Sequence, residues 1–570
     1  MSTSGEYAQV KDDHPFEIKE INQSGKLIAT YIHSHTTSNG EESDRIDVDI
    51  AKGPSTWVMS IVGAFMPVGY PDSVTDDYTA YQFYDSIQAF ASTIAGLLAS
   101  RAVLQVDTEI VVSDVKGYAI TFRVFIATKT CSTSSQSGTR HYSSTYFYIW
   151  LGVRSNRLPG LGVGDSTASA TGAVLLNVLQ ESAGRIATIL FAHRLGSALE
   201  PECKKYRLMA DIFNDAAMIL DCVSPAFPKV PRVILLSVSS ICKSLCGVAA
   251  GSSKASLSAH FAKQGNLAEL NAKDASQETL ISLLGMLVGT FVVSRISSQL
   301  ATWTALIALL SVHLGTNYLA VRSVTMRTLN RQRANLVISS LISGVIKEEA
   351  RYVGKPQHPT QHPEISLPSP KDVSLQELIF ESDGAIRIQG AILAHCKVGV
   401  SLQEILSSIS HPTISGSYQE SKSKFSPGTS ITMDLYNIFK KQGYIMWYDQ
   451  RRNTFLVALK AYAPPIVQFD AWFHAVWAVT AMATATETAT GTGRKSMMKM
   501  NSVEVRNWME ESLGAACAYR DRVDMYSLLR SKGWDLDTPA IEVWAGSRLA
   551  IPWGKGSEEE GNEEEEMERK

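Results

Sequence analysis

Three charged residues at helical spacing raise the first question of chemistry. In "YRLMADIFNDAAMILD", Arg207, Asp211 and Asp215 follow one another four residues apart, which places them on one face of a helix. Leu208, Ile212, Ala216 and Ile219 form the apolar face beside them. On a solvated surface such Arg–Asp pairs stabilise a helix by only ~0.2–0.5 kcal/mol. Inside a dry core or a membrane they form a structural network or mark a polar path. Two acids one turn apart also suit a metal, but no His or third acid accompanies them at helical spacing, so no metal site is expected.

A second constellation lies in "NAKDASQETLISLLGMLVG" (271–289). Asp274 is read as a helix N-cap with Gln277 three residues on. Lys273, Asp274 and Glu278 are candidates to face a ligand. Leu280, Leu283, Leu284, Leu287, Val288 and Phe291 then form a broad apolar face. Gly285 and Gly289 make a GxxxG surface where another helix approaches closely, and Leu300–Val321 is the expected partner. A third candidate is "GLGVGDSTASATG", where Gly160, Gly162, Gly164, Asp165 and Ser166 precede an apolar helix. Backbone N–H groups there offer an anion site, such as for a phosphate. The competing reading is a tight turn capped by Asp165 or Ser166. The stretch matches neither a dinucleotide fingerprint nor a P-loop. "YPDSVTDDY" is read as a turn built by Pro71 with Asp72, Ser73, Asp76 and Asp77, or as a polar rim at the mouth of a helical bundle.

Lys243, Lys254 and Lys263 are the lysines weighed for a Schiff base with pyridoxal phosphate. No pattern supplies a phosphate cradle or a partner for the pyridinium nitrogen. GxSxG, HExxH and kinase motifs are absent as well. The chain is therefore expected not to be an enzyme. No cofactor is evident.

The elements that must carry these residues are apolar. The 570 residues are 45% hydrophobic and 19% charged, below the roughly 25% charge of soluble domains. Leu300 to Val321 holds 22 residues without Asp, Glu, Lys or Arg. At about 1.5 Å per residue that spans the ~30 Å hydrocarbon layer. Arg322, Arg327, Arg331 and Arg333 follow and would keep that end cytosolic. Thr279–Ser294, Ser86–Ser100 and the Lys243-interrupted stretch 233–251 are short or broken, so one segment alone passes the length criterion cleanly.

Residues 1–55 form a polar N-terminal segment with strand-like runs such as "KLIATYIH". Residues 347–372, with five prolines, read as a linker, and 373–552 as an α+β region in which 481–493 is a low-complexity loop. The end, 553–570, is an acidic tail expected to be disordered. The net charge of −3 reflects that tail, and no basic stripe with aromatics points to nucleic acid. Seven scattered cysteines fit a reducing compartment, and the polar, acidic start argues against secretion.

Ordered blocks at 66–105, 160–181, 204–225, 242–289 and 313–333 together resemble the root UVB-sensitive family, whose shared region is the vitamin B6 photo-protection and homoeostasis domain. The resemblance covers roughly 57–340 and implies a mostly helical protein without established catalytic activity. Plant members are linked to UV-B responses in roots, vitamin B6 homeostasis and auxin transport, with two members acting together; the resemblance thus brings in pyridoxal phosphate or another B6 vitamer, considered only as a ligand and, at the Gly-rich stretch, through its phosphate. One departure stands out. The family runs from "RAVL" almost directly into the Gly-rich stretch, whereas here 106–159 intervenes. That insertion is read either as a retained intron or as a lineage-specific loop, outside the helical core.

The expected fold is mainly α: a membrane-associated helical bundle over 56–346, a smaller C-terminal α+β region and a disordered acidic tail. The expected function is a membrane-associated, non-enzymatic helical scaffold or carrier, in a membrane of unspecified identity. Another family member or a second copy is a candidate partner. The alternative is a soluble interaction module that regulates B6 metabolism.

Overall fold

The computed structural model describes residues 16–21, 27–38, 41–50, 65–112, 170–352, 367–410, 427–489, 500–544 and 546–551. Gly160, Gly162, Gly164, Asp165 and Ser166, the inserted text beyond Val112, and the acidic tail lie outside them. Near the N-terminus, β1 (Phe16–Ile21), β2 (Leu27–Ser38) and β3 (Glu41–Ile50) form an antiparallel meander, so the polar segment carries a small sheet.

Six long helices follow: α1 (Tyr78–Val112), α2 (Ala170–Leu195), α3 (Cys203–Val223), α4 (Lys229–Phe261), α5 (Leu267–Arg295) and α6 (Gln299–Ser323). They run up and down. The start of α1 meets the end of α4 through the Val74–Ala262 bridge and the Tyr78 and Tyr81 rings on Phe261. At the other end, Arg101 of α1 donates to the Val293 carbonyl near the end of α5. Helix α1 packs on α3, α5 and α6, while α4 packs on α3 and α2. One end of the bundle thus gathers the start of α1, the α2–α3 and α4–α5 corners and the end of α6; we call it the near end.

The outward faces of α2, α4, α5 and α6 are apolar. Val174, Leu175, Ile189, Val230, Ile234, Leu287, Phe291, Leu300 and Ile307 are all exposed. Among the described residues, four helices are long and apolar enough to cross a membrane by length and composition: Val174–Ala198, Val230–Phe261, Leu267–Arg295 and Gln299–Ser323. Uninterrupted uncharged runs in the sequence single out only the last. Lys243, Lys254, Asp274 and Glu278 break those runs, yet each is ion-paired.

Two local readings need correction. Helix α5 begins at Leu267 after Asn266, not at Asp274. Glu269 in its first turn accepts the Val68 N–H at 2.8 Å, and Asp274 sits buried a further turn along. Gly285 and Gly289 face α1 rather than α6. A Cβ on Gly285 would lie 2.9 Å from Thr93 Cβ, and one on Gly289 would lie 2.6 Å from Leu97 Cδ1.

Beyond the bundle, α7 (Arg331–Tyr352) turns its apolar face into a second core, although it falls in the 56–346 segment. It continues into the Pro-rich stretch, and α8 (Pro370–Gln376) closes it with a Ser369–Asp372 capping box. The elements β4 (Ala385–Ile388), β5 (Ala391–Val398), β6 (Tyr444–Asp449), β7 (Thr454–Lys460) and β8 (Arg548–Leu549) form a sheet of order β4-β5-β7-β6, with β8 on β7. "DQRRN" joins the antiparallel β6 and β7. Helices α9 (Leu402–Ser410), α10 (Pro427–Ile438), α11 (Ile466–Ala489), α12 (Ser502–Arg522) and α13 (Met525–Ser531) accompany it, with Trp472 and Phe473 of α11 fully buried. Residues 481–489, read as loop, continue α11. Helical threonines need not break a helix, because a hydroxyl can bond the carbonyl four residues back, as Thr480 does to Val476.

Candidate functional site

The charged face of α3 turns inward. Arg207 is the hub: Nη2 lies 2.7 Å from Asp85 Oδ1 on α1, Nη1 lies 3.0 Å from Asp211 Oδ1, and Nη2 donates to Gln88 Oε1 at 3.1 Å. Its Nε donates to Tyr81 Oη at 3.3 Å. Asp211 Oδ2 accepts from Gln88 and from Asn317 on α6. His313, one turn before Asn317, places Nδ1 2.8 Å from Asp215 Oδ1 and Nε2 3.7 Å from Asp211 Oδ2. Asp85, Gln88, Asp211, Asp215, His313 and Asn317 are all buried. The second oxygen of Asp215 and the amide oxygen of Asn317 have no hydrogen-bond partner.

A second cluster adjoins the first. Lys254 Nζ on α4 reaches Asp274 Oδ2 at 2.6 Å and Glu278 Oε1 at 2.7 Å on α5. Gln82 of α1 donates to Asp274 Oδ1 at 2.7 Å. One oxygen each of Asp85, Asp274 and Glu278 lie within 4.8 Å of one another. Three carboxylates this close suit a divalent cation, but the Lys254 ammonium and the Arg207 guanidinium already sit against them. Across both clusters, five carboxylates (Asp85, Asp211, Asp215, Asp274 and Glu278) face two permanent cations and one imidazole. The interior is acidic, and anions are disfavoured there.

All these groups lie in the half of the bundle next to the near end. The other half is closed by Ala95, Ala99, Ala102, Cys222, Leu306 and Leu310. At the near-end mouth, Asp77 from "YPDSVTDDY" binds His260 Nε2 at 3.0 Å and the Thr325 N–H at 2.6 Å. Burial alone would raise the Asp77 carboxyl; the imidazole and the backbone donor outweigh it and hold it below the usual range. Beside it, Lys263 pairs with Asp76 at 3.3 Å.

The structure therefore brings Arg207, Asp211 and Asp215 together with Asp274 and Glu278, and leaves Lys273 half-buried on the side of α5. It pairs all three lysines weighed for a Schiff base with carboxylates; Lys243 lies 2.5 Å from Asp221. Sequence reasoning missed Asp85, Gln88 and His313, which come from helices far away in the chain. It also missed Gly184, whose missing Cβ leaves room for Ser240 and Ser244 of α4. The small residues four apart on α4 were the available signal.

A bundle with charges inside and apolar residues outside, joined to an α+β region, defines the class. Residues 51–344 match the "Vitamin B6 photo-protection and homoeostasis domain", and the chain belongs to that root UVB-sensitive family. It is 34% identical over 392 residues to "RUS family member 1" of Dictyostelium discoideum, covering 68% of this chain and 59% of the relative. It is 27% identical to "Protein root UVB sensitive 3" of Arabidopsis thaliana, over 59% of this chain and 63% of the relative. It is 24% identical to "Protein root UVB sensitive 2, chloroplastic" of the same plant, over 69% of this chain and 72% of the relative. The chain thus spans about six tenths of the length of the first two. No solved structure matches it.

Proposed function

We propose that this protein is a membrane-embedded helical carrier, not an enzyme, serving vitamin B6 homeostasis and the UV-B response to which its family's names point. One observation carries the reading: the bundle is inside-out. Its exposed helical faces are mostly leucine, isoleucine and valine, while the charges of the Arg207 network are buried and paired. Water rewards the opposite arrangement, and lipid rewards this one. On this reading the network is a polar path reached from the near end, and the arginines after α6 support a cytosolic position for that end. Its excess of carboxylates favours cationic or neutral solutes over phosphates. Among B6 vitamers this selects the unphosphorylated amine over pyridoxal phosphate.

The test is insertion. Ile307 is exposed on α6, whereas nearby Leu309 is partly packed in the core. Ile307→Asp should lose carbonate-resistant membrane recovery, since a central Asp opposes insertion by about 2.5–3.5 kcal/mol. A soluble module would tolerate that exposed substitution. Wild-type protein found wholly in the supernatant after detergent-free lysis would overturn the reading.

A further inference from the structure

The segment Leu375–Phe380 lies across the near ends of α3 and α6, and from Glu377 to Phe380 its residues face alternately in and out. Glu377 and Ile379 are 4% and 8% exposed, while Leu375, Leu378 and Phe380 are 69%, 50% and 51% exposed. The inward residues are fixed firmly. Glu377 binds Lys204 Nζ at 2.6 Å and Arg333 Nη1 at 2.8 Å, and Ile379 packs with Leu208 of α3 and Val321 of α6. The backbone is fixed too. Arg322, at the last turn of α6, donates to the Glu377 carbonyl at 2.6 Å and the Leu375 carbonyl at 3.0 Å. With its amide turned to satisfy both atoms, Gln332 pairs with the Leu378 backbone at 2.8 and 2.9 Å. Three large apolar side chains are thus held rigidly in the open.

Their position names what covers them. They stand at the end of α6, whose own apolar face continues toward them through Ile307, Val312 and Leu319, all exposed. Arg327 and Lys371 are exposed at the same end, as are Asp372 and Asp383, so it is the apolar tips and their continuity with α6, not charge, that point to lipid. Apolar tips at the end of a span suit the boundary between headgroups and acyl chains.

We propose that Leu375, Leu378 and Phe380 form an interfacial anchor that inserts into the near-side leaflet and sets the depth of α6. This rests on the membrane reading above. A protein otherwise free of lipid contact has no reason to hold three such side chains outward while the residues between them are ion-paired and packed.

The experiment uses full-length protein reconstituted in vesicles of phosphatidylcholine with phosphatidylserine. Leu378→Cys and Phe380→Cys are labelled with an environment-sensitive fluorophore, with Lys371→Cys as the exposed control and labelled wild type as background. The expected result is quenching by lipids brominated high on the acyl chain, and several-fold weaker quenching by aqueous iodide than at position 371. Iodide quenching equal to that at 371 overturns the anchor. Protection from iodide without quenching by the brominated lipids also overturns it, in favour of a protein surface such as a second copy. Single-cysteine replacement on an exposed side chain leaves the buried contacts intact. Carbonate extraction of wild type runs in parallel. If wild type is extracted, the membrane reading itself fails; if it resists and 378 and 380 remain open to iodide, the anchor alone fails.

Discussion

Arg207 is the residue on which the interior balance turns, because it is the only permanent cation in contact with Asp85 and Asp211 among the described residues. Arg207→Met leaves both carboxylates buried without it and should lower stability by about 3–5 kcal/mol. Adding Asp85→Asn and Asp211→Asn should recover part of the loss, read as thermal unfolding in detergent; an additive triple variant would sink the claim of a coupled network. The face carrying Arg207, Asp211 and Asp215 was legible because helical spacing is a local property. Its partners were not. His313 sits inside the longest uncharged run, where its burial against two acids leaves no trace in the sequence.

A second residue-scale prediction concerns His474, buried in the C-terminal core between Tyr444 Oη at 3.2 Å and Ser512 Oγ at 2.8 Å. Burial pushes its imidazole down from 6.5 to about 3. Because the folded value is depressed, the unfolded chain binds the proton first. The stabilisation is complete above about pH 6.5 and is lost as pH falls toward 3. Between pH 7.5 and 5 the wild-type melting temperature should therefore fall, and His474→Gln should flatten that slope.

At the scale of elements, the GxxxG surface of α5 was legible as a close-packing face, but its partner was not. Chain proximity suggested α6, and the structure places α1 there. A glycine pair announces that something comes near without saying what. Gly289→Val drives a branched side chain into Leu97 and Ile94, so it should separate α5 from α1 and destabilise by about 1–3 kcal/mol. A disulfide engineered between these helices in the variant should form more slowly than in wild type, and an unchanged rate would refute the contact. Helix α7 carries a related lesson. Its apolar stripe reads as bundle, yet it packs into the second core, because periodicity reveals a face and not its destination.

At the scale of the whole molecule, the α+β region is fastened to the near end by a buried ionic joint. Lys204 from α3 and Arg333 from α7 both bind Glu377, and Ser197 donates to the Val543 carbonyl at 2.8 Å. Burial alone would raise the Glu377 carboxyl, but Arg333 and Lys204 hold it below the ordinary glutamate range. Its contribution is present above that range and is lost as pH falls through the depressed value. Glu377→Gln strands two buried cations and should loosen the joint. Faster hydrogen exchange in α8, with the bundle intact, is the expected reading, and unchanged exchange would count against it. This joint had no signal in the sequence, since its three charges lie in stretches read as a helix, as the basic flank of a span and as the α+β region.

The sealed half of the bundle differs from the charged half in the size of its side chains. Ala95, Ala99 and Ala102 line α1 where it meets α3 and α6. Small side chains expose little surface when two helices part, at roughly 25 cal/mol per Å² of apolar area. The charged half is welded by ion pairs, whereas the alanine seam is the zip. On the carrier reading proposed above, the far side opens at the alanines while the ion pairs around Arg207 hold.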